Sequence, residues 1–60
     1  MIPKDPVILL SYVNTWLRDH EGDFDEFIKS HALSGEQGAE LIAKLEAIGY
    51  RLDDTKRKFV

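Results

Sequence analysis

The two histidines are the side chains of this sequence best suited to bind a metal ion or to transfer a proton near neutral pH. His20 and His31 stand eleven residues apart, so they lack the i, i+4 spacing with which one helix face presents two zinc ligands. The chain has no cysteine and therefore no thiolate ligand. We expect neither a metal site nor a cofactor, and we expect both histidines to lie near helix ends.

The hydroxyl and carboxyl groups also lack a catalytic arrangement. No G-x-S-x-G turn marks a nucleophile, and the scattered glycines form no phosphate loop. The acid pairs Asp25-Glu26 and Asp53-Asp54 stand where helix starts and turns ordinarily place carboxylates. A chain this short has little room for an enclosed cleft of about 300 Å³. The sequence predicts a protein that is not an enzyme and indicates no small-molecule substrate.

The polar feature that most suggests a binding surface is a strip along one face of the first predicted helix. The strip consists of Ser11, Asn14, Thr15 and Arg18. It either contacts a partner or serves the fold, and the second interpretation is favoured: Arg18 would pair with an acid, and Asn14 would bond to a loop backbone. The acids considered for Arg18 are Asp19, Asp53 and Asp54.

This first helix must also cover an unusually wide apolar surface. Asp5 before Pro6 predicts its start, and Gly22 predicts a break soon after His20. At 100° per residue its apolar side chains span an arc of about 200°, twice the stripe that a helix on one side of a small core needs. The helix is therefore either wrapped by other elements of its chain or buried against a second chain. The protein-interaction candidates on this helix are Leu9, Leu10, Val13, Trp16, Asn14 and Arg18.

Capping signals predict two more helices. Asp23 and Glu26 have capping-box spacing ahead of a short amphipathic segment, and Ser34 with Gln37 repeats that spacing for a helix over residues 35–48. Turn residues then separate two short segments that suit a hairpin. The predicted fold is mainly α: one domain over residues 1–60 with three helices, the second and third helix-turn-helix-like, and a possible short C-terminal β-hairpin.

Basic side chains concentrate at the C-terminal end of an otherwise acidic chain. The net charge is -3, whereas residues 51–60 contain four basic and two acidic side chains. Together with the helix-turn-helix resemblance, these cations support nucleic-acid binding as an alternative function. It is disfavoured, because the start of the third helix carries Glu36 and Glu40 and no basic residue. The nucleic-acid candidates are Arg51, Lys56, Arg57 and Lys58.

Nearly the whole chain resembles one family of very short proteins. The segments that carry the resemblance are Ile2-Pro3-Lys4-Asp5-Pro6, Asn14-Thr15-Trp16-Leu17-Arg18-Asp19 and Ile48-Gly49-Tyr50, with Asp53 and Phe59. They are similar to the bacterial family designated domain of unknown function 4250. The sequence departs from that family in the stretch 34–40 and at Lys58. The resemblance implies a bacterial, cytoplasmic, free-standing protein and supplies no catalytic activity.

Compartment and function follow from the same observations. The absence of cysteine fits a reducing cytoplasm. The longest uninterrupted apolar run has four residues, whereas a membrane span needs about 20. The sequence thus predicts a small cytoplasmic module that is not an enzyme and that binds another protein or forms a homo-oligomer, with nucleic-acid binding as the alternative.

Overall fold

Three helices and a short hairpin make up the fold. The structure, a computed structural model, describes residues 2–60. The elements are α1 (Pro6–His20), α2 (Phe24–Ser30), α3 (Gly35–Ala47), β1 (Leu52–Asp53) and β2 (Lys58–Phe59). The strands are antiparallel, with Leu52 opposite Phe59. The prediction of a mainly α fold with three helices and a C-terminal β-hairpin is confirmed.

The helices begin directly after the capping residues that the sequence predicts. The Asp5 carboxylate accepts the backbone N–H groups of Val7 and Ile8 at 2.9 and 3.3 Å, directly before Pro6. Asp23 caps α2 by accepting the N–H of Glu26.

The start of α3 carries a full capping box. The Ser34 hydroxyl accepts the Gln37 N–H, and the Gln37 side chain accepts the Ser34 N–H. This helix ends at Ala47, one residue before the predicted end, and Gly49 follows in the left-handed region at φ 89°.

The core consists of eight buried side chains drawn from every element except β1. They are Leu9, Val13, Leu17, Phe24, Phe27, Leu41, Leu45 and Phe59. Helix α1 is the centre of this packing, because α2, α3 and β2 all contact it. Its wide apolar arc is therefore covered along the middle by its own chain, while Val7 and Ile8 at its start remain 66% and 58% exposed.

Gly38 lies against side chains of α2. A Cβ at this position would lie 2.9 Å from the Cδ1 atom of the Ile28 side chain. The absent side chain makes room for a branched apolar residue of α2.

Two valines on α1 test whether its inner face forms the core. Val13→Ala removes two methyl groups from a fully enclosed site and is expected to lower the free energy of unfolding by about 2 to 3 kcal/mol. Val7→Ala makes the same chemical change on the same helix at an exposed site, so its effect should stay below about 0.5 kcal/mol. Urea denaturation followed by circular dichroism measures both, and equal effects would contradict the described packing.

Candidate functional site

A groove opens between the C-terminal half of α1 and the turn of the hairpin. Its volume is about 890 Å³. The side chains and backbone that line it belong to Asn14, Thr15, Leu17, Arg18, Glu21, Gly22, Lys56, Arg57 and Lys58. We call it the basic groove, because its lining contains four cationic side chains and one carboxylate, that of Glu21.

The charge of the basic groove is opposite to that of the rest of the molecule. The chain has eight basic and eleven acidic side chains in all, so four basic and ten acidic side chains lie outside the groove lining. Charges of one sign gathered on one face create a local potential that the net charge of the protein conceals. The lining of the groove therefore carries an excess of basic side chains, whereas acidic side chains outnumber basic ones over the rest of the chain.

The cations of the hairpin form no ion pair with an acidic side chain of residues 2–60. Over residues 2–60 the only ion pair is that of Arg18 with Asp19, at 3.2 Å, so Lys56, Arg57 and Lys58 have no acidic partner there. The predicted pairing of Arg18 with an acid is confirmed, with Asp19 as the partner. Both side chains of the pair are more than half exposed, so the pair contributes little to stability and exchanges readily.

One side chain attaches the hairpin to α1. The Nδ2 group of Asn14 donates to the carbonyl oxygen of Phe59 at 3.1 Å, and the Oδ1 atom of Asn14 accepts the N–H of Phe59 at 2.9 Å. The amide thus pairs with the backbone of β2 as a neighbouring strand would. The sequence prediction that Asn14 bonds to backbone is confirmed, although its partner is a strand rather than a loop.

A second set of bonds shapes the turn that carries the cations. The Asp53 carboxylate accepts the N–H groups of Thr55 and Lys56 at 2.9 and 3.0 Å. The Asp53 carbonyl oxygen accepts the N–H of Arg57 at 2.7 Å, and Arg57 has a left-handed backbone with φ 54°. Asp53 is thus the acid that organises the turn, and its bonds are to backbone groups, while the three basic side chains are exposed.

The apolar interaction candidates do not lie on an open surface. Leu9 and Val13 are fully enclosed in the core of the chain itself. Leu10 and Trp16 are partly buried and pack against that core, and the Trp16 ring stacks on His20 with 4.1 Å between centroids. The physical reason is that α2, α3 and β2 all pack against α1. Leu9 and Val13 are therefore occupied in folding, and Leu10 and Trp16 are so in part.

Most of the polar and charged candidate residues lie together in the basic groove. Asn14 and Arg18, predicted for protein contacts, line the same groove as Lys56, Arg57 and Lys58, predicted for nucleic acid. Arg51 is exposed but lies outside the lining. Sequence reasoning missed Glu21 and Gly22 at the end of α1, because nothing local indicates that the hairpin returns to that point.

The histidines serve the fold. The Nδ1–H of His31 donates to the Phe27 carbonyl at 2.9 Å, and its Nε2 lies 2.8 Å from the Tyr12 hydroxyl. His20 Nδ1–H donates to the carbonyl oxygen of Trp16 at 2.9 Å. Among the described residues, no three histidine or acidic side chains are grouped so that they could hold a metal ion.

The fold and the groove define a small, mainly α domain completed by a C-terminal hairpin. The chain matches the family described as Domain of unknown function (DUF4250) over residues 3–59, and it belongs to that family. No curated protein and no solved structure matches it. Within residues 2–60, none of the helices has the length and apolar character needed to cross a membrane.

The attachment of the hairpin predicts the effect of replacing Asn14. Asn14→Leu keeps a side chain of similar size with good helix propensity but leaves the Phe59 N–H and C=O without a protein partner. We expect the free energy of unfolding to fall by about 1 to 3 kcal/mol and the Phe59 amide proton to exchange faster. Ser11→Ala, on the same polar strip, should change stability by less than about 0.5 kcal/mol. An unchanged exchange rate at Phe59 would show that the amide does not hold the strand.

Proposed function

We propose that the protein is a small non-catalytic binding module and that the basic groove is its binding surface. The groove receives an anionic segment of a partner molecule. The observation that carries this proposal is the convergence of four cations on one groove of an acidic protein, with the three hairpin cations free of ion pairs within residues 2–60.

Preorganisation supports this role. Arg18 belongs to a helix, and Lys56 to Lys58 belong to a hairpin that is bonded internally through Asp53 and to α1 through Asn14. A surface whose backbone is already ordered loses less conformational entropy when it binds. The cations are thus held near one another before a partner arrives.

The chemistry of the lining favours binding over catalysis. It contains no histidine and a single carboxylate, Glu21, so it offers neither a pair of carboxylates nor a carboxylate with a histidine for general acid–base chemistry. The groove is open to solvent and therefore does not exclude water from a reaction. We assign the protein to the cytoplasm, which its lack of cysteine favours.

Another protein is the first candidate partner, and nucleic acid is the second. Nucleic-acid binding remains a candidate because three of its four predicted residues, Lys56, Arg57 and Lys58, line the groove. A homo-oligomer is the weaker form of the protein hypothesis. The reason for expecting it was an uncovered apolar arc, and the centre of that arc is buried within one chain.

A polyanion that is neither a protein nor a nucleic acid tests whether the groove binds anions at all. We expect dextran sulfate at low salt to shift amide resonances of α1 near Arg18 and of the hairpin turn in a heteronuclear NMR titration, and we expect added salt to reverse the shifts. Lys56→Glu with Lys58→Glu should weaken this binding at least about tenfold, because two attractive charges become repulsive.

The matched control is Lys4→Glu with Lys29→Glu. It changes the net charge by the same amount at exposed lysines outside the groove, so its binding should stay within about twofold of the unmodified protein. Equal weakening in the two variants, or shifts scattered over all lysines, would refute the groove as the binding surface.

A further inference from the structure

The groove also indicates the chemistry of its partner. We infer that the occupant is an acidic segment of another protein, in which a few carboxylates are flanked by uncharged residues, and not a nucleic acid. This inference rests on the proposed function, since it takes the basic groove as the binding surface.

The extent of the positive charge favours a polypeptide. Four of the eight cations line one groove of a molecule only 25 × 23 × 17 Å in size, and the charged side chains outside it are predominantly acidic. A nucleic acid carries a charge on every nucleotide, so a strand longer than the groove would bring phosphates close to that acidic surface. A polypeptide can place its carboxylates only where the cations are and continue with neutral residues.

The groove also lacks aromatic side chains on which nucleic-acid bases could stack, among the residues that the structure describes. The single tryptophan of the sequence, Trp16 on α1, is partly buried and stacks on His20. Proteins that bind single strands combine a basic groove with aromatic side chains on which bases stack, and that second component is missing from this lining.

The lining contains both donors for carboxylates and acceptors for N–H groups, and an acidic peptide has both kinds of group. The guanidinium groups of Arg18 and Arg57 suit carboxylates, to which arginine donates two parallel hydrogen bonds. The Glu21 carboxylate and the Thr15 hydroxyl are acceptors for peptide N–H groups. A phosphodiester has no hydrogen to donate, so Glu21 only repels it.

The ion pair at the edge of the groove suggests how the partner engages Arg18. The Asp19 carboxylate bonds to the Nε atom of Arg18 at 3.2 Å in an exposed pair. A carboxylate of the partner takes the place of Asp19, exchanging one exposed ion pair for another within a groove that holds three more cations. Asp19→Asn removes the competing charge and should tighten peptide binding about twofold to fivefold.

Two labelled probes with equal charge test the inference. One is a peptide with about six glutamates among serine and glycine, and the other is an oligothymidylate with about six phosphates; fluorescence anisotropy at about 50 mM salt measures both affinities. We expect the peptide to bind at least about fivefold more tightly. Glu21→Gln should reduce this difference in affinity. The substitution removes a negative charge that repels both probes, but it also leaves a weaker acceptor for peptide N–H groups, so the peptide gains less than the oligothymidylate.

The outcomes separate the inference from the proposed function. Equal or tighter binding of the oligothymidylate, with loss in Lys56→Glu with Lys58→Glu, overturns the polypeptide partner and leaves the groove as the binding surface. If neither probe loses affinity in that variant relative to Lys4→Glu with Lys29→Glu, both the inference and the proposed function fail. Circular dichroism of each variant establishes that it is folded before its affinity is compared.

Discussion

The side-chain amide of Asn14 is the contact on which the arrangement of this molecule depends. It joins residues 45 positions apart through two hydrogen bonds to the backbone of Phe59. A two-stranded hairpin is marginally stable by itself in water, so this one needs an anchor outside its own strands. The amide supplies the polar half of that anchor, and the buried Phe59 ring supplies the apolar half. Together they complete the core and fix the position of the turn.

The docking of the hairpin on α1 also forms the basic groove. The hairpin returns to the end of α1, and its residues Lys56, Arg57 and Lys58 line the same groove as Arg18. Bringing like charges together costs electrostatic free energy, and the described part of the chain supplies no acidic partner for the three hairpin cations. An arrangement of this kind opposes folding slightly and favours the binding of an anion, which is why we connect it with function.

The fold was largely predictable from the sequence, because its signals are local. Asp5, Asp23 and Ser34 cap their helices as their spacing indicates, and Gly49 follows the end of α3. The width of the apolar arc on α1 was also predictable, but not which elements cover it. Periodicity shows that a face is buried without showing whether the cover belongs to the same chain.

The groove was not predictable in the same way. Asn14 and Arg18 were singled out for one kind of partner, and Lys56, Arg57 and Lys58 for another. Their common location depends on a contact across most of the chain, and a single sequence does not encode such a contact in any local pattern. An asparagine at the boundary between the polar strip and the apolar arc was the one available sign, and it indicated only that a backbone partner was near.

The contact between distant parts of the chain links folding to ligand occupancy. Since one wall of the groove belongs to α1 and the other to the hairpin, the groove exists only when the helix has formed and the hairpin is docked on it. A ligand held there binds the native state and not the unfolded chain, so saturating it a hundredfold above its dissociation constant adds about 2.7 kcal/mol to global stability. For a domain of this size that is a large share of the total. The melting temperature of the whole protein therefore rises when a ligand occupies the groove. A ligand can thus be sought by measuring thermal shifts, without an assay of activity.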